Sequence, residues 1–312
     1  MDRYGPAALI QSYDADGADA HVVDALAGAL LDGIAGPCLG VVLKERGTRG
    51  PAAEGRLLRG VLPPPHPRDR FAERPGRLVI DEDGILFGID LLYGVSTGLF
   101  LDARPLRGLV RARSAGLRVL NLFSYTSGFG VAAATGGARS TTNVDVVPSA
   151  LERGEANYAL NDLPYDARTH ARSDVFEVLR RAVRSGTQWD LVIVDPPPVP
   201  TDGVRRGTKR ARGFDPLRDQ EKVIAGALAV CSPHGSVLAM SAARGRAGFE
   251  EPLTRACAGL ESDVAPFRRP IARADDFPGE PGDGLRAVWI TAPPRAEGPD
   301  RRADEPALDS PP

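Results

Sequence analysis

Residues 119–151, VLNLFSYTSGFGVAAATGGARSTTNVDVVPSAL, constrain the fold more than any other stretch. An apolar run leads into a turn of small and hydroxyl residues, then an Ala-rich helical run, a second strand-like run and Asp145. The pattern continues downstream with PSALERGEANYALN, a strand near 167–172, VFEVLRRAVRSG, DLVIVD, PLRDQEKVIAGALAV, SVLAMSAA and LRAVWITA. Strands alternating with helices demand a parallel sheet covered on both faces, so the expected fold class is α/β with a doubly wound sheet.

Upstream, the pattern differs. Strand-like runs at 6–12 and 38–46 flank an amphipathic helix at 19–34, and the short apolar run RLLRGVL follows. VLPPPHPRDRFAERPG is read as a surface loop because its prolines cannot pair regularly. RLVIDEDGILFGIDL reads as a hairpin turning at Gly84. Residues 1–105 are therefore expected to form a small α+β domain and 106–293 the doubly wound domain. The Pro-rich and charged residues 294–312 are expected to be a disordered tail.

The chain of 312 residues is 42% hydrophobic with net charge −2, and its three cysteines, Cys38, Cys231 and Cys257, lack CxxC spacing. Neither a disulfide framework nor a zinc site is suggested, and His21, His66, His170 and His234 do not cluster with acids, so no metal is expected. No basic leader precedes an apolar core and no run of eighteen apolar residues occurs, which points to a cytoplasmic location without a membrane span. Trp189 and Trp289 fall in strand contexts and are assigned to the core.

Ligands of doubly wound sheets sit beyond the carboxyl ends of the strands. There, Gly128 and Gly130 let the backbone approach a ligand, and a branched side chain at Gly128 is expected to fill that approach. Asn121, Ser124, Tyr125 and Thr126 offer hydrogen-bonding groups, and Asp145 is placed to accept both hydroxyls of a ribose. The turn lacks the G-x-G-x-x-G spacing that clears room for a pyrophosphate, which favours a nucleoside with an amino-acid arm, S-adenosylmethionine. The alternative is that the glycines only start a helix and Asp145 caps the next one. Asp174 ends the third strand, where it could meet an adenine amino group. Asp195 tips an apolar strand ahead of three prolines, a costly arrangement unless something is positioned there or the prolines simply stiffen a connector.

Together with the upstream GILFGIDLLYGVSTGLFLDARPLR, the stretches VLNLFSYTSGFGVAAATGG, VDVVPSALERGEANYALN, SDVFEVL and WDLVIVDPP resemble bacterial large-subunit (23S) ribosomal RNA methyltransferases of the 5-methylcytosine and 7-methylguanine branch. The resemblance runs over residues 1–293 and implies a Rossmann-like class I methyltransferase using S-adenosylmethionine. It implies that Thr97, Gly98, Phe100, Asp102 and Arg104 form a loop against the cofactor, although a domain hinge would look alike. Phe123, Ser124, Tyr125, Thr126 and Gly128 would line its methionine side, Asp145 the ribose and Asp174 the adenine. Asp195, Pro196 and Pro197 would border the methyl-transfer site.

The chain departs from the family at several points. Members begin with an extra, PUA-like RNA-binding module, whereas this chain starts at MDRYG, so an accessory RNA grip is expected to be missing. Ser96 replaces the usual lysine, Ala103 a glutamine, and Pro198 a lysine or threonine. Ala242, in MSAAR, stands where the branch that methylates cytosine carries a cysteine nucleophile. Cys231 reads as a helix terminus, Cys257 as part of a later helix and His234 as a helix end. Methylation without a thiol is therefore expected, through alignment of a nitrogen or oxygen lone pair with the activated methyl. The segment DGVRRGTKRARGFD gathers Arg205, Arg206, Lys209, Arg210 and Arg212, with Phe214 to stack on a base. That favours RNA as the partner, with a small molecule or natural product as the alternative acceptor, a solvated basic loop as the plain reading, and a non-catalytic RNA- or partner-binding fold as a further one. The oligomeric state is not legible.

Overall fold

The computed structural model describes residues 1–13, 18–34, 36–45, 54–94, 96–166, 168–201, 205–206, 209–210, 213–243, 248–258, 269–270 and 285–292. The amino-terminal unit is a four-stranded sheet in the order β1 (Asp2–Tyr4), β2 (Ala7–Ser12), β3 (Gly40–Glu45), β4 (Arg56–Gly60). Helix α1 (Ala20–Leu31) links the parallel pair β2 and β3, and Asp19 caps it by accepting from the His21 and Val22 amides. A hairpin follows, β5 (Arg77–Glu82) and β6 (Ile85–Asp90). Its two turn residues, Asp83 and Gly84, both take positive φ (54° and 81°), the geometry that matches the twist of a tight hairpin.

A 3-10 turn at Leu101–Ala103 and α2 (Arg104–Arg113) lead into the second unit. Its elements are β7 (Arg118–Leu122), α3 (Gly128–Thr135), β8 (Ser140–Asp145), α4 (Pro148–Leu160), β9 (His170–Arg172), α5 (Val175–Ser185) and β10 (Trp189–Val194). There follow the ribbon β11 (Arg205–Arg206) and β12 (Lys209–Arg210), α6 (Pro216–Ala229), β13 (Cys231–Ser241), α7 (Glu250–Cys257), β14 (Arg269–Pro270) and β15 (Arg286–Thr291). The seven-stranded sheet runs β14-β15-β13-β10-β7-β8-β9, with β15 antiparallel to its neighbours. The chain steps outward from β7 to β8 and β9, then returns to the other side of β7 with β10. The strand order therefore reverses between β7 and β10, which places a ligand crevice at their carboxyl ends.

Leu191, Val192, Ile193 and Val194 are fully buried, as a central strand covered on both faces requires. Each such side chain contributes about 1.5–3 kcal/mol on burial. The hairpin packs into the same core as the second unit: Phe87 and Ile89 share a cluster with Val131 and Ala132 of α3 and Tyr158 of α4, joined by Leu99 from the loop that follows β6. The core therefore runs continuously across residue 105.

Three features differ from the sequence reading. Residues 104–113 are helical because Leu106, Arg107 and Val110 bury one face while the other arginines stay outside, so Arg104, expected in the loop that begins at Thr97, instead starts a helix. Cys231 and His234 belong to β13, not to a helix end. The pairing with β10 shifts register between Trp189 and Leu191, and His234 takes φ 60° in that bulge, which lets Ser-Pro-His-Gly lie within a strand. The short strands β1 and β14 lack enough residues to show periodicity. Residues 294–312 lie outside the described residues.

Candidate active site

At the carboxyl edge of β7 the turn Phe123–Ser127 takes an unusual path. Phe123, Tyr125 and Ser127 have φ of 57°, 48° and 61°, three left-handed residues in alternation and none of them glycine. Each such conformation costs roughly 1 kcal/mol or more and persists only when the surroundings dictate it. The surroundings are explicit. The Ser124 amide donates to Val144 O (2.9 Å), the Tyr125 amide to Asp145 Oδ2 (2.8 Å) and the Ser127 amide to Ser124 O (2.7 Å). Asp145 also accepts from the Val147 amide at 2.9 Å, so one carboxylate ties the turn to the end of β8. Burial holds its carboxyl above the usual range, partly offset by these backbone donors.

Asp195 follows β10, and the register Val194 to Leu122 brings it beside Phe123. Burial pushes Asp195 up to about 7, the nearby Asp102 charge adds to the rise and Arg107 opposes it. Asp102 and Asp195, from opposite ends of the chain's motif set, are thus brought together. Arg107, absent from the sequence-derived site, grips Glu82 with two bonds of 2.6 Å and donates to Phe100 O at 2.9 Å. Phe100 remains half exposed, with its ring 5.9 Å from that of Tyr125.

Other expected ligand groups have different partners. The Thr97 hydroxyl is buried against Tyr4 Oη (2.9 Å), and the Thr126 hydroxyl donates to Gly98 O (2.5 Å), so both brace the loop 97–99. Asn121 lies within the sheet, where its Nδ2 donates to Asn143 Oδ1 at 2.9 Å. Asp174 caps α5, its Oδ1 accepting from the Phe176 and Glu177 amides. It also lines a cavity of about 780 Å³ between α5 and α6, with Phe176, Leu179 and Lys222. A Cβ on Gly128 would face Leu99 (3.3 Å) and Arg107 (3.6 Å), so its small size serves the packing of α3 against these two side chains. Arg104 is exposed at the start of α2, while Pro196 is buried behind Asp195.

Phe214 is buried edge-on against Phe123, with ring centroids 5.0 Å apart, which removes it as a stacking platform for a base. Its backbone instead closes the base of the basic segment: the Thr201 amide donates to Phe214 O at 2.9 Å and the Phe214 amide to Thr201 Oγ1 at 3.0 Å. Within that closure, Arg205 pairs with Arg210 and Arg206 with Lys209 as an antiparallel ribbon. Arg212 lies outside the described residues.

Beneath the turn, Ser127 Oγ and His170 Nε2 share a hydrogen bond of 2.9 Å, and burial pushes His170 down to about 4, so the imidazole is neutral. No described group of three or more His, Cys, Asp or Glu residues could hold a metal ion. No described helix is long and apolar enough to cross a membrane. All three cysteines are buried. Cys231 pairs with Trp189 at the opposite end of β10 from Asp195, about 20 Å away at strand rise. Cys231→Ser is therefore expected to lower stability by about 1–2 kcal/mol in urea unfolding, through a hydroxyl in the core, while leaving kcat within about twofold.

The profile of the S-adenosylmethionine-dependent methyltransferases matches residues 72–234, just over half of the chain. The chain belongs to this family. Its cofactor is accordingly S-adenosylmethionine. Among relatives, ribosomal RNA large subunit methyltransferase K of Neisseria meningitidis is 39% identical over 157 residues, 50% of this chain and 43% of that protein. The ribosomal RNA large subunit methyltransferase of Deinococcus radiodurans is 38% identical over 165 residues, 53% of this chain and 38% of its own length. The chain thus spans less than half the length of these relatives. SMU.776, a candidate methyltransferase solved with SAH, superposes with a TM-score of 0.74 at 26% identity, over 93% of this chain and 70% of that one.

Proposed function

We propose that this methyltransferase acts in the cytoplasm on a base nitrogen of RNA, ribosomal RNA first, without a cysteine nucleophile. The observation that carries the site is the left-handed turn pinned by Asp145 where the strand order reverses. The residues fit the cofactor. Ser124 Oγ is buried in this turn without a partner, and Asp145 and Asp195 are carboxylates held away from water at the crevice edge, as a cation and a sugar diol require. When bound, S-adenosylmethionine supplies an activated methyl on a sulfonium. Asp145 would hold the ribose, Ser124 and the backbone of Phe123–Ser127 the amino-acid arm, and the cavity beside Asp174 and Phe176 the adenine. Thr97, Gly98 and Thr126 act by bracing the loop that carries Phe100 and Asp102.

Alignment of the acceptor supplies the catalysis. Phe100, half exposed above Tyr125, offers a face for the target base, replacing Phe214 in that role. Asp195, beside Pro196 and Pro197, fixes an amino group or balances the positive charge that nitrogen methylation creates. The basic ribbon, closed by Thr201 and Phe214, supports an RNA acceptor because its anchor packs directly on the cofactor turn, and two relatives bear names of ribosomal RNA methyltransferases.

Asp195 gives a pH signature. Its folded pKa of about 7 lies above the unfolded value near 3.8, so ionising it opposes folding. That penalty, up to about 4 kcal/mol, is fully present above pH 7 and fades as pH falls toward 3.8. Asp195→Asn should therefore raise stability at pH 8 more than at pH 5, read by urea unfolding. In the intact enzyme kcat/KM should climb through pH 7, and this limb should vanish in the Asn variant. Nucleoside mass spectrometry of ribosomal RNA from a deletion strain tests the substrate: one missing methylated base supports RNA, and an unchanged profile favours a small acceptor.

A further inference from the structure

Arg153 sits on α4, outside the site as read from the sequence, yet three pieces of the crevice converge on it. Its Nη2 donates to Thr97 O at 2.6 Å and lies 3.0 Å from Asp90 Oδ2 at the end of β6. Its Nη1 donates to Tyr125 Oη at 3.2 Å, and the guanidinium carbon lies 5.8 Å from the Tyr125 ring centroid. The side chain is 12% exposed. Gly98, at φ 110°, leaves room for it: a Cβ there would come within 1.9 Å of Arg153 Nη2. Asp90 is in turn held by the fully buried Arg77, which also binds Asp69 at 2.6 Å. A single guanidinium thus joins the hairpin, the 97–99 loop and the middle residue of the left-handed turn.

We propose that Arg153 is a positioning residue for S-adenosylmethionine: it fixes Tyr125, and through it the backbone of the cofactor turn, without touching the cofactor. The proposal rests on the assignment of that turn as the cofactor site. Tyr125 is held in a conformation its side chain disfavours, and the planar fork divides its contacts, Nη1 meeting the phenol while Nη2 meets the carbonyl and the carboxylate. A lysine in its place could keep the Asp90 charge and one carbonyl but not the phenol.

The test is titration calorimetry of S-adenosylmethionine on the full chain with Arg153→Gln, Arg153→Lys, Tyr125→Phe and the Arg153→Gln/Tyr125→Phe pair. Arg153→Gln should weaken binding about tenfold or more, with Arg153→Lys in between. The double variant should bind no worse than about twofold below Arg153→Gln alone, because both changes break one link. Arg68→Ala, which cuts the exposed bridge from Arg68 to Asp162 just beyond the end of the same helix, should bind as the wild type does. Melting temperatures separate binding from folding; if Arg153→Gln does not fold, Tyr125→Phe and Arg153→Lys carry the test. Wild-type affinity in Arg153→Gln, or in both of those variants, or strictly additive losses in the pair, would overturn the proposal. Failure of the wild-type chain to bind the cofactor would instead remove the site assignment beneath it.

Discussion

Gly130→Ala is expected to destabilise the protein by about 3–5 kcal/mol. The added Cβ would stand 2.0 Å from Asn143 Oδ1 and 2.7 Å from its Cγ. Asn143 cannot swing aside. It is fully buried, accepts from Asn121, and donates to Tyr158 Oη (3.0 Å) and Thr169 O (3.2 Å). Displacing it would leave buried polar groups without partners, each costing about 1–3 kcal/mol. Alanine in a helix interior normally gains up to about 1 kcal/mol over glycine, so the steric term decides the sign. Gly108, on α2 with nothing within 4 Å of its would-be Cβ, is the internal comparison. Gly108→Ala should stabilise by about 0.5–1 kcal/mol in the same urea unfolding experiment. A small loss at Gly130 would mean that α3 does not press on β8 as described.

Asp145→Ala is expected to lower affinity for S-adenosylmethionine by about a hundredfold or more in calorimetry, equivalent to about 3 kcal/mol. Two effects combine. The proposed hold on the sugar would be lost, and the Tyr125 and Val147 amides would lose their acceptor, releasing the left-handed turn. Asp145→Asn keeps an oxygen for one of the two amides and should fall between. The stability cost should stay near 1–2 kcal/mol, because removing a carboxylate whose ionisation burial opposes offsets part of the lost hydrogen bonding. Unchanged affinity would place the cofactor elsewhere on the sheet.

Much of this architecture is visible in the chain itself. Strands such as DLVIVD and the 13-residue helix α4 carry their own periodicity, and the Asp-Gly pair at 83–84 announces its turn. The carboxylates at the strand ends could be placed by counting, because strand ends fall where apolar runs stop. What stayed hidden depends on pairing across the chain. In RPLRGLVRAR the arginines mask a helical stripe whose buried member Arg107 is neutralised by Glu82, 25 residues earlier. Asp174 before an apolar helix has the same local signature whether it caps or binds a ligand, and the structure gives it the capping bonds. Thr97 and Thr126 looked available because their partners, Tyr4 and Gly98, lie far away in sequence. Arg153, between charged neighbours on the amphipathic α4, is indistinguishable from a solvated arginine until the hairpin is folded against that helix.

The alternating left-handed residues also bear on how the crevice fails. A loop that ordered itself around its ligand would loosen by degrees as temperature rises. Here the awkward backbone is enforced by Val144 O, the Asp145 carboxylate and the closing of the sheet, all of them groups of the chain itself. Entropy is therefore surrendered during folding, leaving little reorganisation for the encounter, and the shape of the crevice should vanish together with β7 and β8 in one cooperative step.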